Sequence, residues 1–177
     1  NAPMLNQPHI RRSPAALLTI IAALVALTSL FTRTGTAGVE LPTVFSDHMV
    51  LQRELPVPVW GRAEPGEQVE VMFAGQSRTT TADDQGNWSV TLDPLTASAE
   101  GRTLTVIAKN RVEINDVLVG EVWVCGGQSN MEWSVTQSDN PPREQADADR
   151  PTLRLINAPR RTASNPEFTT EANWVSC

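Results

Sequence analysis

Between residues 69 and 114 the chain alternates with a period of two, and that pattern restricts the fold more than any other feature. Val69, Val71 and Phe73 share one side of VEVMF, and Trp88, Val90 and Leu92 share one side of NWSVTL. Leu104, Val106 and Ala108 repeat the spacing in RTLTVIA, as do Val112 and Ile114 in RVEI. Apolar side chains at every second position mark strands with one buried face; a helix would need them three and four apart. The runs are separated by turn chemistry. In AEPGEQ, Pro65 fixes one φ and Gly66 supplies a positive one, and Asp83 to Gly86 make a second turn. Pro56 and Pro58 in LPVPVWG exclude a central helix and confine that segment to a sheet edge. Short strands broken by such turns predict a β-sandwich over residues 38–116, small but able to bury a core.

The pattern changes at VLVGEVWVCGGQSNMEW. Val122 to Cys125 is an unbroken apolar run that stops at Gly126 and Gly127. Such a run predicts a strand covered on both faces, as in a parallel α/β sheet. A boundary is expected near residue 117, with no flexible linker. Beyond Trp133 the chain is polar and contains prolines, TLRLINA predicts another strand, and NPEFTTEANW reads as loop up to Trp174. A strand–helix–strand unit takes about 30 residues. The 61 residues from 117 to 177 therefore hold only the start of an α/β domain.

Residues 1–37 do not resemble domain material. Arg11 and Arg12 precede 17 uncharged residues, Ala15 to Phe31, followed by the small and polar TRTGTAG. A basic start, an apolar middle and a small-residue end are the parts of a secretory signal. The run also approaches the length of a membrane anchor. Either reading places the remainder outside the cytoplasm, secreted or periplasmic, with membrane contact only if the segment is retained. Removing Arg11, Arg12 and Arg33 from 14 basic residues leaves 11 against 20 acids, a net charge of −9. Such a surface excludes nucleic acid as a partner, since phosphates demand a basic face. Cys125 and Cys177 do not have the spacing of a zinc site, so no metal is expected there. They are able to pair with each other, with other cysteines, or stay free. In its apolar run, Cys125 reads as a buried thiol.

Chemistry concentrates at Gly126-Gly127-Gln128-Ser129-Asn130-Met131. Where a strand ends in glycines the backbone turns sharply and a ligand can approach closely. A serine there presents its hydroxyl outward while its own N–H meets a developing oxyanion. The string is not the G-x-S-x-G elbow, because Met131 stands where the second glycine belongs. GEVWVCGGQSNMEW resembles the first catalytic block of the sialate O-acetylesterase family, a branch of the SGNH hydrolases. LPTVFSDHMVLQRELPVPVWGRAEPGEQVEV, DDQGNWSVTL and INDVLVGEVW extend the resemblance over most of residues 40–133. It implies a β-sandwich followed by a truncated SGNH-type, flavodoxin-like hydrolase domain. It also implies Ser129 as the nucleophile, an O-acetylated carbohydrate (sialic acid or plant polysaccharide such as xylan) as the substrate, and no cofactor. Gly126 departs from a frequent serine.

A serine hydroxyl needs a base to take its proton. The two histidines are His9, ahead of the apolar run, and His48, in FSDHMVLQR. The resemblance places the catalytic histidine far downstream of the serine, and the family's later oxyanion blocks find no match after residue 133. The chain is therefore expected to be an N-terminal fragment, inactive alone. The rival reading is a non-catalytic sandwich module for carbohydrate or domain contacts bearing a hydrolase remnant. Gln128, Asn130 and Trp133 are candidates for substrate contact, the first two equally as turn formers. His48 reads as structural, and Asp83 with Asp84 as a plain turn, since alternating calcium ligands are lacking. The five tryptophans, at 60, 88, 123, 133 and 174, are open to sugar stacking, but Trp88 and Trp123 read as core and Trp133, just past Ser129, is the best candidate for lining a site. Asn87-Trp88-Ser89 is a glycosylation sequon.

Overall fold

The computed structural model describes residues 38–177, and the signal or anchor expected within residues 1–37 lies outside them. Seven strands come first: β1 (Val50–Gln52), β2 (Val57–Arg62), β3 (Gln68–Phe73), β4 (Gln76–Thr81), β5 (Asn87–Leu92), β6 (Ser98–Ile107) and β7 (Arg111–Gly120). Five form a sheet in the order β1-β7-β6-β3-β4, while β2 and β5 pair as a separate antiparallel ribbon. The fold is mostly sheet, with few and short helices.

The alternation does what it predicts. Val69, Val71 and Phe73 of β3 and Leu104 and Val106 of β6 are buried, and they share one core with Val57, Val59, Trp88, Val90 and Leu92 of the ribbon. On its other side β2 meets only Glu40, which bridges Arg62, so the missing N–H of Pro58 interrupts no second ladder. The hairpin between β3 and β4 turns on Ala74 and Gly75, both with positive φ (50° and 79°), as a tight two-residue hairpin requires. Asp83 closes the next turn, accepting the N–H groups of Gln85 (2.9 Å) and Asn87 (2.8 Å). The Asn87 amide in particular holds its carboxyl below the ordinary value. Glu67 is buried but satisfied, accepting from the amides of Glu64 and Lys109 at 2.9 and 2.7 Å.

The boundary expected near residue 117 falls inside β7. That strand runs on to Gly120 because Leu118, Val119 and Gly120 pair in parallel with β1. Between the pairs Arg102↔Val117 and Leu104↔Ile114, β7 carries one residue more than β6, which makes a bulge. Asp116 sits in it with φ 53°. Gly101 faces it so closely that a Cβ would lie 2.3 Å from the Asp116 carboxylate oxygen.

Past Gly120 one expectation is overturned. Val122 to Cys125 is not a buried strand: Trp123 is 83% and Val124 96% exposed, and Cys125 is exposed as well. An apolar run becomes an interior strand only where other strands flank it. The described residues beyond Gly120 supply only β8 (Arg154–Ile156) and β9 (Trp174–Ser176), which pair antiparallel with each other. No parallel α/β layer forms among the described residues. Trp123 and Cys125, read as interior, lie at the surface for the same reason, whereas Trp88 is buried as expected. A six-residue helix, α1 (Pro141–Ala146), opens on two prolines, which suit a first turn because its N–H groups lack partners. Residues 150–177 close back on the sheet half. Thr43 Oγ1 donates to the Thr170 carbonyl at 2.9 Å and accepts its N–H at 3.1 Å, and Trp174 Nε1 donates to the Val44 carbonyl at 2.9 Å.

Candidate active site

Ser129 opens a short 3-10 turn, Ser129–Glu132, and is exposed. The Met131 N–H donates to the Gln128 carbonyl at 2.9 Å, and the Trp133 N–H reaches the Asn130 carbonyl at 3.4 Å. A Cβ on Gly127 would meet Met131 Cγ at 2.7 Å, a contact that the exposed Met131 side chain relieves by turning away. Gly126 meets nothing within 4 Å. Gln128, Asn130 and Trp133 are also exposed, and the four candidates thus share one surface turn through adjacency in the chain. Glu132 is fastened by an ion pair with Arg160. Amides at the start of a helical turn lack partners within it, so this geometry offers a serine hydroxyl next to available N–H donors.

The general base is a separate matter. His48 Nδ1 lies 2.7 Å from the Asp116 carboxylate, and Asp47 turns to accept the Asn115 N–H at 2.7 Å. Asp116 also holds Arg154 Nη2 at 2.8 Å. Only 9% of the Arg154 side chain is exposed. The His48 hydrogen bond, then Arg154, holds the Asp116 carboxyl below its ordinary value. This trio joins the turn before β1, the bulge of β7 and strand β8. Sequence reading missed it, although an acid inside the apolar run INDVLVG and an arginine inside TLRLI were its signals. A cleft of about 710 Å³ opens between the end of β7 and the β8–β9 hairpin, lined by Val122, Trp123, Cys125, Arg154 and Trp174 among others. Ser129 lies outside its lining. Cys125 and Cys177 are free thiols. Among the described residues no three His, Cys, Asp or Glu side chains cluster as metal ligands.

No family model matches the chain. Among curated proteins it is 31% identical over 149 residues to the mouse sialate O-acetylesterase, covering 76% of this chain and 26% of that protein. The human sialate O-acetylesterase is 33% identical over 126 residues, 63% of this chain and 24% of that protein. The chain is related to the sialate O-acetylesterases. It spans about a quarter of the length of these relatives. A crystal structure of a carbohydrate acetylesterase from Xanthomonas citri superposes with a TM-score of 0.73 at 36% identity, covering 78% of this chain and 32% of that one. The likeness to sialate O-acetylesterases therefore extends over most of this chain and is not confined to the turn bearing Ser129.

Proposed function

We propose that the chain is part of an esterase that removes O-acetyl groups from carbohydrate, with Ser129 as nucleophile. One observation carries the reading: in a chain related to sialate O-acetylesterases, the serine of GQSNMEW lies exposed at the start of a turn closed by the Met131 N–H on the Gln128 carbonyl. In this mechanism Ser129 Oγ attacks the acetyl carbonyl, and its own N–H shares the negative charge of the tetrahedral intermediate. The sugar hydroxyl then leaves with a proton, and water releases acetate from the acetyl-serine. Gln128, Asn130 and Trp133 border the turn and contact the substrate. The full fold is a β-sandwich followed by the opening of an SGNH-type domain, and export follows from residues 1–37.

The proton acceptor is a histidine outside these 177 residues. One observation supports this: the resemblance places the catalytic histidine downstream of the serine, and no histidine follows Ser129 within these residues. The 177-residue stretch is accordingly inactive alone. The test uses full-length protein and a chromogenic acetate. Ser129→Ala should lower turnover by about 10⁴-fold or more, with the melting temperature unchanged. Turnover that survives in the variant removes Ser129 from the mechanism. Comparison of acetylated sialic acid with acetylated xylan then assigns the sugar.

A further inference from the structure

Trp60 projects from the outer face of the β2–β5 ribbon and remains 42% exposed, although it is one of the largest apolar side chains in the protein. Its ring does not lie loose. Phe45 meets it edge-on, with centroids 4.7 Å apart and planes at 75°, which fixes the indole orientation. Two clefts, of about 400 and 770 Å³, both include Trp60 in their lining. The ladder places polar groups beside it: Ser89 lies directly across from Trp60, and Asn87 across from Arg62. Thr80 and Asp83 complete the polar side of the smaller cleft. On the other side Phe168 forms a wall, its ring 4.4 Å beneath the Arg62 guanidinium, in a segment tied down by the paired hydrogen bonds between Thr43 and Thr170.

We infer that this trough is a binding site for a neutral polysaccharide chain, with Ser129 outside its lining. An oriented indole accepts the C–H face of a pyranose, and hydroxyl, amide, carboxylate and guanidinium groups at its edge pair with sugar hydroxyls. An apolar floor with a few convergent polar groups is the usual construction of a ligand cleft. Because Trp60 lines both clefts, the site extends past one ring, which suits a polymer. Charge selects the neutral class. Arg62 and Asp83 offset each other inside the trough, while residues 38–177 carry 11 basic against 20 acidic side chains, a net of −9 that repels an anionic glycan. On this reading the trough holds the polymer while ester chemistry proceeds elsewhere on the protein.

The test is retardation of full-length protein in gels containing unacetylated xylan, in a Ser129→Ala background so that no turnover interferes. Trp60→Ala should lose about tenfold or more of the xylan affinity, a size consistent with losing one stacked aromatic ring. Trp60→Phe should retain part of it, and Asn87→Ala should weaken it several-fold. With Ser129 restored, Trp60→Ala should hydrolyse a small chromogenic acetate at the unaltered rate. Equal retardation of the Trp60→Ala variant and its parent overturns the site, as does preference for a sialylated glycoprotein over xylan. Should Trp60→Ala melt early, Asn87→Ala decides, and undiminished retardation of that variant overturns the proposal. Small-ester turnover reads Ser129 and retardation reads Trp60, so failure of one leaves the other standing.

Discussion

VEVMF in β3 and VWVC after β7 are short apolar runs of similar composition, yet they meet opposite fates. In the first, Val69, Val71 and Phe73 are fully enclosed, with relative exposures of 0–2%. In the second, all of Val122 to Cys125 is exposed, and Ala172 is the only buried apolar residue beyond Gly120. The difference lies in the partners each run finds. β3 is flanked by β4 and β6 and covered by the ribbon, whereas Val122 to Cys125 has no strand beside it. Apolar composition supplies a tendency to be buried; neighbouring strands decide whether it is realised.

The largest effect should come from the sheet half. Leu104→Ala removes a fully buried side chain from the shared core and should cost about 3–4 kcal/mol, read by denaturant unfolding. A smaller loss would mean that the core collapses around the gap.

Asp116→Asn tests the junction between the halves. Asparagine tolerates the positive φ of the bulge but strands the nearly buried Arg154, at a cost of about 2 kcal/mol. The pH dependence follows from the lowered carboxyl value. The contribution of Asp116 is complete above the ordinary carboxylate range, near pH 4, and is lost as pH falls through the depressed folded value. The variant should therefore lose less stability than the parent on acidification, a difference visible in melting curves from pH 7 to pH 2. The smallest effect should be Val124→Ala, within about 0.5 kcal/mol for so exposed a side chain. A larger cost in the full-length protein would show that other residues cover this run there.

Much of the sheet half was legible because its evidence is local. Strand period, proline at the edge strand and the Asp83 turn each follow from a few adjacent residues. The ribbon of β2 and β5, and the parallel pairing of β1 with β7, depend on contacts across 25 to 68 residues of chain that no window displays. Ser129 was legible as a glycine-bounded serine and by its resemblance to a known catalytic block. The trio of His48, Asp116 and Arg154 was not, since it is assembled from three separate segments by a bulge with no distinctive composition. Trp123 shows the opposite failure: its neighbours read as interior, and only the missing flanking strands place it in water.

The shared carboxylate of Asp116 makes three distant positions interdependent. Once either partner is lost, the other inherits the whole of Asp116, so replacing both should cost more than the two single losses added together. Lineages of this chain would then give up one of the two partners while keeping the other, and would seldom lose both, leaving a correlated trace across segments that have no other reason to vary in step.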